Sequence, residues 1–167
     1  NKIFCVASEG LYIINKNDMS MLQLSKNTGL SDFGIKRIAY SKELDVIVII
    51  YTNCNIDLLT PDGIININDI KRKEILGNKS INNIVVNNNI AYLSCSFGLV
   101  LLDLEREEIK DTYQLLINED YAEVTGCAFK SDSIYISTPN GIYFANKNST
   151  ILNDFNNWLV YDTTIFS

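Results

Sequence analysis

The residue types that could do chemistry in this 167-residue chain are few, and the commonest one is absent: there is no histidine. Imidazole is the usual general base near neutral pH, and without it Ser–His and Cys–His nucleophile pairs are excluded. Carboxyl groups remain. Glu105, Arg106, Glu107 and Glu108 form a charged run between two apolar segments. Nothing hydrophobic brackets them to raise a carboxyl pKa, so they are expected to form a solvated corner. Glu119, Asp120 and Glu123 could offer oxygen ligands to a hard cation. The alternating Asp-x-Asp-x-Asp-Gly spacing of a calcium loop is missing, and they read as an acidic loop. The thiols of Cys5, Cys54, Cys95 and Cys127 stand 49, 41 and 32 residues apart with no Cys-x-x-Cys pair, which argues against structural zinc. Each lies in or beside an apolar segment and is expected to be a small buried side chain, with one disulfide as the alternative in an exported protein. Glycine-rich phosphate loops are absent, and TPDG (Thr60–Gly63) is a β-turn sequence that needs no function. The expectation is no catalytic residue, no metal and no cofactor.

The elements around these residues belong to a globular chain, with 47% apolar and 20% charged residues. A net charge of −6 and a pI near 4.6 repel phosphate backbones and anionic lipid, so nucleic acid is not the expected partner. The longest apolar run, Val46–Tyr51, is strand-sized and far short of the roughly 20 residues that span a bilayer. The chain opens on NKIFCVAS, with no basic start before an apolar core. No signal peptide is seen, so the expectation is that any such segment has been cut away and that the chain is an excised or processed fragment.

Apolar segments are short, alternate with period two and are separated by Asn, Asp, Gly and Ser, which is a strand-and-hairpin pattern. Four of them align on a turn residue: SEGLYIINK, NCNIDLLTP, SFGLVLLDL and PNGIYFANK. The turn residues are Gly10, Asn55, Gly98 and Gly141, at intervals of 45, 43 and 43. Glycine tolerates a positive φ and asparagine is next best, so a tight hairpin is expected at each. Seven residues upstream lie Ile3, Val48, Ala91 and Ile134; five upstream lie Cys5, Ile50, Leu93 and Ile136. A preceding strand repeats as Ile35, Ile38 and Tyr40, then Ile81, Ile84 and Val86, then Val124, Cys127 and Phe129. A fainter fourth strand recurs at Met21–Leu24, Ile64–Ile67, Ile109–Tyr113 and Thr150–Leu152.

Four short antiparallel strands in about 43 residues are the size of a β-propeller blade. The expectation is an all-β partial propeller forming a single domain over 1–167. Its blades fall near 1–30, 31–77, 78–117 and 118–155, with a β-sandwich as the weaker alternative. The first unit lacks its innermost strand. Residues 156–167 are expected either to close the ring there or to begin a further blade. An open blade edge is then expected to drive oligomerisation. Trp158 is expected in the core or at the closure rather than in a binding hot spot.

The matched residues resemble known families. GLYIINK and PNGIYFANK are similar to the two-component regulator propeller blades of extracytoplasmic Bacteroidetes proteins. The longer run NTGLSDFGIKRIAY, YTNCNIDLL, DIKRKEILGNKSINNI and AYLSCSFGLVLLDLEREEIKDTY resembles the N-terminal β-propeller of PorZ-like proteins of the type IX (Por) secretion system. This second resemblance spans residues 4–158 and implies a non-enzymatic, exported protein of the periplasm or outer-membrane surface. It also implies protein partners in the secretion and attachment machinery, bound through loops such as Asn27–Ile35 and Ile117–Glu123. The family's lipopolysaccharide-binding C-terminal β-sandwich has no counterpart in these residues. Cys54 stands where that family's turn would carry glycine. The alternative is the periplasmic sensor propeller of a hybrid two-component regulator, binding an oligosaccharide.

Overall fold

A twisted sheet of short strands has two apolar faces and is stable only when they are covered. In the computed structural model, which describes residues 2–7, 10–117 and 120–161, the chain forms two compact units, residues 1–73 and 74–167. The first unit holds the antiparallel meander β1 (Lys2–Ala7), β2 (Gly10–Asn15) and β3 (Met21–Leu24). A second meander follows, of β4 (Ile35–Ser41), β5 (Val46–Tyr51), β6 (Ile56–Thr60) and β7 (Gly63–Ile67), with a one-turn helix α1 (Asp69–Arg72) behind it. Phe4, Leu11, Ile13 and Leu24 of the first sheet pack on Ile47, Ile49 and Tyr51 of the second.

The second unit repeats the plan. β8 (Ile81–Asn87), β9 (Ile90–Cys95), β10 (Gly98–Asp103) and β11 (Glu108–Tyr113) form one sheet. β14 (Gly126–Lys130), β15 (Ser133–Thr138), β16 (Gly141–Asn146) and β17 (Leu159–Val160) form the other. A small hairpin, β12 (Leu116–Ile117) and β13 (Asp120–Tyr121), lies between them in sequence. Leu99, Leu101 and Tyr113 share a buried cluster with Cys127, Ile134, Ile136 and Tyr143, so the two sheets stack face to face. The fold is all-β and built of propeller-type blades, as the repeat implies. Among the described residues the first sheet has three strands rather than four.

Three expectations need correction. The columns through Val48 and Ile50 are off by one residue. In the last blade burial alternates along β15, and Ile134 and Ile136 face the preceding sheet. In the second blade the residues doing so are Ile47, Ile49 and Tyr51. The cause is an extra residue in its hairpin. Tyr51 N–H donates to the Asn55 carbonyl and Cys54 N–H to the Tyr51 carbonyl, closing a three-residue loop. The left-handed residue of that loop is Cys54, φ 64°, not Asn55. A one-residue slip flips every side chain to the opposite face, and in VIVIIY it goes unseen because every residue of the run is buried. Second, Thr150–Leu152 is a turn; the fourth strand of the last blade is β17, whose Leu159 and Val160 pair with Phe144 and Tyr143. Residues 159–160 therefore complete the last sheet instead of closing the first or opening another, and residues 162–167 lie outside the described residues. Trp158, buried, donates its indole N–H to the Leu152 carbonyl at 2.9 Å and anchors that return. Third, Cys5 is exposed while Cys54, Cys95 and Cys127 are buried; no disulfide joins the four.

Gly10 and Gly98 open β2 and β10 with φ 147° and 127°. A Cβ there would collide with the Leu24 and Tyr113 carbonyl oxygens respectively, where the outer strand ends against the hairpin. Gly141, φ 134°, has open space around it because β17 pairs farther along. Gly141→Ala is expected to carry backbone strain alone, about 1–3 kcal/mol. Gly98→Ala must also displace β11, and is expected to cost roughly 2 kcal/mol more in urea unfolding.

Candidate functional site

The loop from β3 to β4 is the best-braced irregular segment of the first unit. A 3-10 turn at Lys26–Thr28 opens it, with the Ser25 N–H donating to Thr28 Oγ1 at 2.7 Å. Its middle is held from below by Asp57 of β6, which is fully buried. A buried carboxyl group without donors would cost several kcal/mol. Asp57 accepts from Tyr51 Oη at 2.5 Å, from the Ser31 N–H at 2.8 Å and from Asn66 Nδ2 at 2.8 Å. Burial first, and this hydrogen bond second, push the Tyr51 phenol above its ordinary pKa.

Fixing Ser31 places Asp32 at the loop surface. Its carboxylate accepts from Lys71 Nζ of α1 at 2.6 Å, Asn53 Nδ2 at 2.6 Å and Asn55 Nδ2 at 3.4 Å, with Lys26 Nζ at 3.8 Å. The Lys71 hydrogen bond, followed by that of Asn53, holds the Asp32 carboxyl well below the usual carboxylate range. Lys26 Nζ also sits 4.7 Å from the ring centre of Phe33, which is 66% exposed. Gln23, Ser25, Lys26, Asn27, Asp32 and Phe33 line most of a cleft of about 340 Å³. The cleft offers amides, a hydroxyl, one carboxylate and an aromatic face. It can bind through hydrogen bonds and stacking; its carboxylate is committed to donors and stays charged, so it is poorly suited to proton transfer.

In the second unit the loop Leu115–Val124 is tied by Ala122 N–H to the Leu115 carbonyl at 2.7 Å and by Val124 N–H to the Cys95 carbonyl at 2.9 Å. Asn82 Nδ2 donates to Glu123 Oε1 and to the Val124 carbonyl, both at 3.0 Å. A cavity of about 560 Å³ lies among Leu76, Asn78, Phe97, Tyr121 and Glu123. Leu76, Leu116 and Tyr121 are each at least half exposed.

Of the acidic residues singled out in the sequence, Glu105–Glu108 form the β10–β11 turn. Asp103 Oδ1 accepts from the Glu105 and Arg106 N–H groups, and Glu107 is left-handed at φ 60°. Glu119 lies outside the described residues. Among the described residues no three Cys, Asp or Glu converge on a metal-sized point. Burial pushes the Cys127 thiol up to about 12, so it is a poor thiolate source. The sequence reading found the loop 27–35 but missed Asp32, Asp57 and Lys71 as its braces. The available signal was Asp57 itself, a carboxyl group in the middle of the apolar strand NIDLL.

The family model for the N-terminal β-propeller domain of PorZ, of the type IX secretion system, matches residues 3–159. Among solved structures the chain is similar to PorZ of Porphyromonas gingivalis, described as an essential bacterial surface component of that system. The identity is 29% and the TM-score 0.84, over 96% of this chain. It is also similar to two structures of extracellular domains from B. thetaiotaomicron, one described as a one-component system and one as a hybrid two-component system. Their identities are 16% and 13%, their TM-scores 0.72 and 0.67, and they cover 97% and 89% of this chain. The chain spans 21%, 22% and 19% of the three, about a fifth of each. Comparison with curated proteins gave no match.

The depressed Asp32 carboxyl sets a pH dependence. A group whose folded pKa lies below its ordinary value of 3.8 contributes stability in full above about pH 4 and loses it as pH falls further. Asp32→Asn is expected to lower stability at pH 7 and to flatten the decline below pH 4, as measured by urea midpoints across pH.

Proposed function

The chain belongs to the family of PorZ N-terminal β-propeller domains, and from that membership we propose that it is a non-catalytic, exported interaction domain of a type IX secretion component. Its partners are proteins of the secretion and attachment machinery at the periplasmic or outer-membrane surface. The observation that carries this reading is the loop 27–35. A buried carboxyl group pins its base, charged residues brace its flank, and Phe33 stands exposed at its tip. An ordered loop presenting an aromatic anchor inside a polar rim is the anatomy of a protein-binding hot spot, and its ordering is settled before binding. Leu116 and Tyr121 are likewise exposed apolar side chains in the second unit.

A second reading rests on the cleft beside Phe33. Gln23, Asn27 and Asp32 supply hydrogen-bonding groups suited to sugar hydroxyls, and Phe33 supplies a face for a pyranose ring. In that case the domain is a sensor propeller that binds an oligosaccharide.

Phe33→Ala and Tyr121→Ala remove exposed rings and are expected to leave the melting temperature within about 2 °C. Under the protein-binding reading each weakens association with purified type IX components by about tenfold or more, the loss typical of a hot-spot residue. Unchanged binding by both variants, or normal cargo export after deletion of the domain, contradicts it. Saturable binding of a glycan by the wild type, lost in Phe33→Ala, selects the sensor reading.

A further inference from the structure

Two hairpins of this chain use the same four-residue turn. Thr60–Gly63 joins β6 to β7 with the sequence TPDG, and Thr138–Gly141 joins β15 to β16 with TPNG. In both, proline presets the first corner, and the closing glycine has a positive φ, 143° at Gly63 and 134° at Gly141. The hydrogen bonds match as well. Thr60 Oγ1 accepts from the Asp62 N–H at 3.2 Å and donates to the Gly63 carbonyl at 3.0 Å. Thr138 Oγ1 accepts from the Asn140 N–H at 3.1 Å and donates to the Gly141 carbonyl at 3.1 Å. The two turns differ only in the side chain before the glycine, and none of these bonds uses that group.

Asn140 is set apart from the other asparagines. It is exposed, and it is the one asparagine in the sequence that precedes glycine. The backbone nitrogen after an asparagine can attack the side-chain amide carbon when no Cβ shields it, and glycine has none. The surroundings leave room for that movement. At Gly10 and Gly98 the space where a Cβ would stand is taken by a carbonyl oxygen of the outer strand. At Gly141 nothing beyond the adjoining residues lies within 4 Å of that point, because β17 pairs farther along β16.

We propose that Asn140 is a site of self-modification, deamidating to aspartate and so converting TPNG into the TPDG turn that the first unit already uses. The Gly141 nitrogen gives its proton to solvent base and bonds to Asn140 Cγ. The Cγ–Nδ2 bond breaks and ammonia leaves. Water then opens the cyclic imide. Cleavage of the new bond between the Gly141 nitrogen and Cγ leaves an ordinary aspartate. Cleavage of the original peptide bond instead leaves an isoaspartate, with an extra carbon in the main chain. The fold discriminates between the two. Aspartate alters neither bond of Thr138, as Asp62 demonstrates in the other turn. Isoaspartate places its extra carbon between the Asn140 N–H and the Gly141 carbonyl, the two groups that the Thr138 hydroxyl ties together. It also pushes Gly141 out of its pairing with Thr138 at the start of β16. Aspartate is therefore the main product, and the hairpin gains a negative charge while keeping its register.

The test is to hold the folded chain at mildly alkaline pH in water enriched in heavy oxygen, beside a sample unfolded in urea. Mass spectrometry of the peptides then follows every asparagine and separates aspartate from isoaspartate. In the folded chain Asn140 is expected to convert ahead of every other asparagine and to take up heavy oxygen. Its aspartate share is expected to be larger than in the unfolded sample. Asn140→Gln, which would need a larger imide ring, is expected to keep its amide. Asn140→Asp reproduces the product and is expected to melt within about 2 °C of the wild type. Retention of the Asn140 amide in the folded chain overturns the proposal. So do conversion no faster than at the other asparagines and an isoaspartate share that is the same folded and unfolded. A larger fall in melting temperature for Asn140→Asp also overturns it, because the turn would then not accept the carboxylate.

Discussion

The rest of the structure depends on the stacking of one twisted sheet face against the next. A four-stranded meander of about 35 residues cannot bury either face by itself, and its core exists only where a neighbour covers it. Within the first unit Leu11, Ile13 and Phe4 meet Ile47, Ile49 and Tyr51; within the second Leu99 and Leu101 meet Ile134, Ile136 and Tyr143. Each fully buried aliphatic side chain contributes about 1.5–3 kcal/mol, so a handful at one interface outweighs any surface ion pair in the chain. Stacking also dictates where binding can occur. Strand interiors are committed to packing, and the exposed chemistry is left to the connections at the sheet ends.

The buried Asp57 shows how the fold supports such a connection. A ten-residue loop between β3 and β4 would be mobile if it were held only by its ends. Anchoring Ser31 to an interior carboxyl group, and Asp32 to Lys71 of α1, makes the loop part of the scaffold. Phe33 then projects from a braced base, so a partner of the proposed kind would not first have to order the loop.

Much of the fold was legible in the sequence because the repeat is chemical as well as numerical. Glycine recurs at positive φ as the first residue of β2, β10 and β16, and alternation marks the faces of β15 and β16. The misreadings fell where those signals vanish. In VIVIIY both faces are buried, so period two carries no information and the extra hairpin residue went unnoticed. In the last blade a twelve-residue connection, 147–158, separates the third strand from its partner, and Leu159–Val160 is too short to announce itself. The site was legible only as a loop. Ser31 meets Asp57 across 26 residues and Asp32 meets Lys71 across 39, contacts that composition and periodicity do not encode. A carboxyl group in an apolar strand was the one local sign of them.

The central claim is that neighbouring sheets are energetically joined through their faces, and Tyr92 with Phe129 is its sharpest instance: one ring on β9, the other on β14, centres 4.7 Å apart and edge to face. A double-mutant cycle with Tyr92→Ala and Phe129→Ala, read by urea unfolding, tests it directly. The account predicts a coupling of about 0.5–1.5 kcal/mol between the two rings. Additivity within about 0.3 kcal/mol would mean that the two sheets do not share a face there, and would contradict the blade architecture on which the reading of the loops rests.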